Sequence, residues 1–110
     1  MKHGMTITEK ILARGAHKDA VKAGDIINAD IDVAMCHDVT TPPAIRMLEE
    51  KGITGVFDKE KIVVTPDHFQ PAKDIKSAEL LKRLDTWAKR NDITHYYPVG
   101  KAGVYYALLV

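Results

Sequence analysis

Two stretches of the chain pair a histidine with an aspartate: His37-Asp38 and Asp67-His68. A carboxylate beside an imidazole favours the imidazolium and fixes its tautomer, which is what a general acid or base requires. Both pairs follow apolar stretches. Ile62-Val63-Val64-Thr65 is a β-branched run of the kind that fills a buried strand, and it breaks at Pro66, just before Asp67. A proline cannot donate to a sheet ladder, so Asp67 and His68 are expected at the carboxyl end of a strand, where open α/β sheets place their ligands. The bland alternative makes both pairs exposed turn residues. A mononuclear metal site from His37, Asp67 and His68, with His95 as a further donor, is a third possibility. It lacks the tight spacing of a zinc motif, and His95 precedes the end of its strand. A small-anion site at the strand ends is favoured over it, because helix N-termini are expected on the same edge.

The elements that would position these residues can be read in order. Met1 to Met5 is a loose start. Thr6-Ile7-Thr8-Glu9 has the spacing of a capping box and opens a short helix. Ile7, Ile11 and Leu12 are expected to face the core, and Gly15 to end that helix. Ile27, Ala29, Ile31, Val33 and Met35 alternate with Asn28, Asp30 and Asp32, the period of a half-buried strand that leads to His37. Thr41 followed by Pro42 reads as a hydroxyl cap and a first-turn proline, with Ala44, Ile45 and Leu48 as the buried stripe and Gly52 as the stop. After the Ile62 strand, Asp74 is expected to cap the longest helix, with Ala78, Leu81, Leu84, Trp87 and Ala88 inward and Asn91 in the left-handed stop. Thr94 to Pro98 reads as a strand, Gly100-Lys101-Ala102-Gly103 as a loop, and the apolar Val104 to Val110 as a terminal strand.

This order gives an α/β fold, a three-layer βαβαβ unit with a mostly parallel sheet, as a single domain over residues 1–110. Right-handed crossovers bring the strand ends to one edge, so the His37, Asp67 and Gly100 loops should converge there. An exposed terminal strand as apolar as Val104–Val110 would be a sticky edge. It is expected to pair within the sheet or across a homo-oligomer interface.

Composition narrows the partners. Sixteen basic against fifteen acidic side chains leave a net charge of +1, with no basic stripe for nucleic acid or an anionic membrane. No apolar run approaches the ~20 residues of a membrane span, and the N-terminus lacks a signal-peptide pattern. Cys36 is the only cysteine, which excludes an intrachain disulfide, suits a reducing cytoplasmic setting, and cannot supply the thiolates of an iron–sulfur cluster.

Thr6-Ile7-Thr8-Glu9-Lys10-Ile11-Leu12-Ala13, Gly24-Asp25-Ile26, His37-Asp38-Val39-Thr40, Pro66-Asp67-His68-Phe69 and Lys73-Asp74-Ile75-Lys76-Ser77-Ala78 together resemble the N-terminal segment of the 3-isopropylmalate dehydratase large subunit, in the aconitase and homoaconitase family. The match runs from about Thr6 to Leu109 in the family's order. The resemblance implies an aconitase N-terminal-domain-like fold and a hydro-lyase of leucine biosynthesis that isomerises a hydroxy-dicarboxylic acid by dehydration and rehydration. It implies His68 and Asp67 as catalytic residues, the histidine acting at the departing hydroxyl and the aspartate holding it. His37, Asp38 and Thr40 are implied on the substrate side.

The resemblance also implies a 4Fe-4S cluster in the parent enzyme, whose ligands this chain lacks. The partners it implies are the remainder of a large subunit and a small subunit or swivelling domain that carries the base. The chain alone is therefore expected to be inactive. The competing expectation is a stand-alone, non-catalytic scaffold or assembly domain derived from that family. Where the family carries a histidine this chain has Tyr106, so no catalytic role passes to it, and Tyr105 is left without one.

Overall fold

The computed structural model describes residues 4–109; Met1 to His3 and Val110 lie outside it, and with them most of the expected loose start. The chain divides into two compact units, residues 1–32 and 33–110.

In the first unit, α1 spans Ile7–Gly15 and opens on the expected capping box. The Thr6 hydroxyl accepts from the Glu9 amide at 3.2 Å, and the Glu9 carboxylate accepts from the Thr6 amide at 2.7 Å. The inward residue of this helix is Ala13, whereas Ile7, Ile11 and Leu12 are exposed, against expectation. The expected strand from Ile27 is also absent over most of its length. There the chain folds back on α1: the Asp30 amide donates to the Gly15 carbonyl at 2.8 Å, and the Asp30 carboxylate meets His17 at 2.8 Å. A side chain on Gly15 would press on the Asp30 carbonyl and the Ala29 side chain, so a glycine here permits the close approach.

The second unit is a parallel sheet with crossover helices. Strand β1 is Ala34–Cys36, β2 is Ile62–Val64 and β3 is His95–Tyr96, in the order β1-β2-β3 and parallel throughout. β1 is short because its partner is short. Only Ala34, Met35 and Cys36 find residues opposite them on β2, and the alternating stretch before them has no ladder to join. One further bond prolongs each pairing past the strand ends, from the Thr65 amide to the Cys36 carbonyl and from the Tyr97 amide to the Val64 carbonyl, both at 2.9 Å.

Between the strands run α2 (Thr41–Glu50) and α3 (Ile75–Arg90), which pack against each other. Ile45 from α2 and Leu84, Trp87 and Ala88 from α3 meet Val64 and Ile93 in one core, with Cys36, Ile62 and Tyr96 against it. Glu49 ties the helices together from outside, accepting from Arg83 at 2.6 Å and Arg90 at 2.8 Å. These guanidiniums hold its carboxyl below the usual range. Asp74 caps α3 as expected, accepting from the Ser77 amide at 2.7 Å. The α/β class and the parallel sheet are as the sequence led one to expect.

Four details differ. Thr41 is not the cap of α2 but its first residue; its hydroxyl instead accepts from the His37 amide at 3.0 Å. Ala44, Leu48 and Ala78 are exposed, because each helix presents a narrow stripe to a small sheet. At the end of α3 the left-handed residue is Asp92, not Asn91, whose amide side chain turns back to the Trp87 carbonyl at 3.0 Å. The expected terminal strand is a short helix, α4, Tyr105–Leu108. Its amides bond locally, Ala107 and Leu108 to the Val104 carbonyl, and Tyr105 turns inward. The homo-oligomer expected through that strand thus loses the edge it needed among the described residues.

Candidate acid–base site at the strand ends

His37 follows β1 directly, and Thr65-Pro66 carries the end of β2 to Asp67 and His68. The parallel register brings both ends to the same edge, where the two histidine rings stack with centroids 4.7 Å apart and planes 22° from parallel. Of the three loops expected to converge, the first two do. The third contribution comes from Tyr105, just past the glycine loop, whose ring lies 5.5 Å from His37 and 6.0 Å from His68.

The feature that shapes the site is Asp38. It is fully buried, and its carboxylate accepts from three successive backbone amides of the neighbouring loop: Asp67 at 3.4 Å, His68 at 3.2 Å and Phe69 at 2.7 Å. A buried carboxylate left unpaired would be costly, and three part-buried amides also need an acceptor; each satisfies the other. Asp38 therefore fastens the Asp67-His68 loop to the end of β1. These amides are the anion cradle one would seek at such an edge, and the protein fills it itself.

The histidines are held in opposite senses. His37 Nδ1 accepts from the Val39 amide at 3.2 Å, so it carries no proton, and the neutral ring must bear its hydrogen on Nε2. That Nε2–H donates to the Thr40 hydroxyl at 3.1 Å. His68 Nδ1 instead donates to the Asp67 carboxylate in a short hydrogen bond, with Asp38 also 3.5 Å away. With Nδ1 so engaged, Nε2 is the remaining nitrogen of a half-exposed ring. The other oxygen of Asp67 accepts from the Tyr105 amide at 3.4 Å. Behind the site, burial pushes the Cys36 thiol up despite a hydrogen bond with Thr41.

His37, Asp38, Asp67 and His68 bring their donor atoms within 4.8 Å of one another, close enough for one cation. The stacking argues otherwise. A metal sits in the plane of each imidazole that binds it, and two stacked planes 22° apart do not intersect near the rings. His95, the further donor considered, stands at the start of β3 and faces Glu60 at 3.9 Å. A 4Fe-4S cluster does not fit either, since it needs three or four thiolates and the chain has one cysteine.

Each residue singled out by sequence can now be placed. His37, Asp38, Asp67 and His68 come together; Thr40 reaches them through His37. The role of Asp38 as a fastening and the presence of Tyr105 were not legible. Asp38 gives no local sign of the amides it meets some thirty residues on, and only the expected convergence of the third loop pointed toward Tyr105.

No family model matches the chain. Among curated proteins, it is 51% identical over 106 residues to the 3-isopropylmalate dehydratase large subunit of Heliobacterium modesticaldum, covering 96% of this chain and 25% of that protein. The large subunit of Caldicellulosiruptor saccharolyticus is 50% identical over 109 residues, 99% of this chain and 25% of that protein. The 2,3-dimethylmalate dehydratase large subunit of Eubacterium barkeri is 49% identical over 106 residues, again 96% and 25%. The chain spans about a quarter of the length of the relatives it matches. Conserved nearly end to end at about half identity, it belongs to the family of 3-isopropylmalate dehydratase large subunits and corresponds to their N-terminal segment.

Proposed function

We propose that the chain supplies the acid half of a hydro-lyase site acting on a hydroxy-dicarboxylic acid of the isopropylmalate type. The observation that carries this is the His68–Asp67 pair: Nδ1 donates to a carboxylate, and Nε2 is left for a substrate. In the dehydration, a base removes the proton from the carbon next to the one bearing the hydroxyl, and the C–O bond breaks as the double bond forms. His68 Nε2–H gives its proton to the departing hydroxyl, which leaves as water; rehydration reverses the transfer. Asp67 keeps the Nδ1 proton in place and stabilises the imidazolium at the start of the cycle. His37 and Thr40 present polar groups beside the pair, on the substrate side. Asp38 serves that side indirectly, by holding the loop.

The base and the iron–sulfur cluster of the parent enzyme belong to partners: the remainder of a large subunit and a small subunit. This chain offers neither a second acid–base pair at the site nor a set of thiolates. In the cell the proposed setting is the cytoplasm; among the described residues no helix is long and apolar enough to cross a membrane.

The test is a segment exchange. The matching quarter of the Heliobacterium modesticaldum large subunit is replaced by this chain, and the chimera is assembled with its small subunit and assayed with isopropylmalate. Dehydration by the chimera, and none by the 110-residue chain alone given iron, sulfide and substrate, is the expected result. A folded, assembled chimera without activity would remove the proposal and leave a non-catalytic scaffold as the better account.

A further inference from the structure

The geometry points to Tyr105 as a positioning residue for the His68–Asp67 pair, acting through its ring on one partner and its backbone on the other. This rests on the acid–base role proposed for the pair. It adds a residue that occupies neither the histidine pair nor their two loops.

His68 projects from a loop, is half-exposed, and is free to turn about its side-chain bonds unless something lies against its face. One face of the histidine pair is supplied by the mutual stack of His37 and His68. Tyr105 adds a third ring within 15° of parallel to His37 and 25° of parallel to His68. Rings offset at such distances attract by more than the area they bury. Rotating His68 out of its plane would therefore lose contact with two neighbours.

The second hold is on Asp67. One carboxylate oxygen accepts from His68 Nδ1 and the other from the Tyr105 amide at 3.4 Å. A carboxylate gripped at both oxygens cannot swing away from the imidazole without breaking a bond. The same residue, distant in the chain, thus limits both ends of the Nδ1–H···O hydrogen bond that sets the tautomer. The loop before it can deliver Tyr105 because Gly100 takes a backbone φ of +89°, which only glycine adopts without strain.

The phenol is not part of this arrangement. It is pushed up to about 12, first by hydrogen bonding with Tyr106 and then by burial, and is neutral near pH 7. What the site uses is an aromatic face and an amide. The chemistry separates variants accordingly: phenylalanine keeps both, leucine keeps only the amide.

The experiment is imidazole nitrogen NMR on the 110-residue chain, with Tyr105→Phe, Tyr105→Leu and Tyr105→Met compared with the parent. In the parent and in Y105F, the neutral form of His68, observed at alkaline pH, should carry its single proton on Nδ1. In Y105L and Y105M the His68 shifts should move toward a tautomer mixture, while the amide spectrum of the sheet and α3 stays in place. In the chimera, kcat should fall about tenfold for Y105L, a shift of one order in rate, with KM little changed and Y105F near the parent. Unchanged His68 nitrogens in folded Y105L or Y105M would overturn the assignment, and so would a Y105F as disturbed as Y105L. The NMR readout needs no activity, so an inactive chimera with the expected tautomer shifts sinks the hydro-lyase proposal and leaves the positioning role standing.

Discussion

The buried carboxylate of Asp38 accepts a 2.7 Å hydrogen bond from the amide of Phe69, a residue of the loop that ends the adjacent strand. With the amides of Asp67 and His68 it makes a three-point clasp between two strand ends. The site is built around that clasp. Without it nothing in either loop's own sequence would hold the two histidines face to face.

Removing the clasp should therefore cost stability as well as order. Asp38→Ala leaves three amides without their acceptor and is expected to destabilise the fold by about 3 kcal/mol or more. Asp38→Asn keeps one acceptor oxygen and should cost roughly half as much. Urea denaturation checks both. A D38A midpoint within error of the parent would mean that water replaces the carboxylate without loss.

The core and the irregular first unit should respond oppositely to substitution. Leu84 is 1% exposed and lies against Val64 and Trp87, so Leu84→Ala should cost about 3 kcal/mol. Ile26 is 98% exposed, and Ile26→Ser should change stability by less than about 0.5 kcal/mol. A large loss at Ile26 would show that this part of the first unit is packed inward after all.

Stability should decline on the acid side. Asp74 is held below its ordinary value of 3.8 by the Ser77 backbone and hydroxyl, and Asp85 below 3.8 by Lys89 and Tyr96. Glu49 is held down by Arg90 and Arg83. For each, the folded protein prefers the ionised form more than the unfolded chain does. Their contribution is complete above the ordinary carboxylate range and is lost as pH falls through the lowered folded values. Thermal unfolding should thus be flat from neutrality to about pH 5 and fall steadily below about pH 4. Asp74→Asn should shallow that decline; an unchanged slope would mean that the cap contributes nothing.

How much of this was legible depends on whether a signal is local. The capping box at Thr6 and Glu9, the Asp74 cap and the Leu84-Trp87-Ala88 stripe are set by residues within a turn of one another, and all three form. The strand from Ile27 and the one from Val104 had the right alternation or apolarity but needed a neighbouring strand to pair with. β2 offers three residues to the first, and the second closes on itself as a helical turn. The histidine pairs were visible because a proline and two strand ends announced them. The clasp at Asp38 and the ring of Tyr105 were not, since each acts on residues some thirty or more positions away. A single sequence carries no trace of which amide a buried carboxylate will meet.

In the proposed dehydration His68 is the group that delivers the proton. The most direct test of this role is the kcat of the isopropylmalate-dehydrating chimera with His68→Asn beside His37→Asn. A loss of at least about 100-fold in kcat for H68N, with KM within a few-fold of the parent and H37N affected mainly in KM, is the expected result. An H68N chimera that turns over at nearly the parent rate would contradict the account.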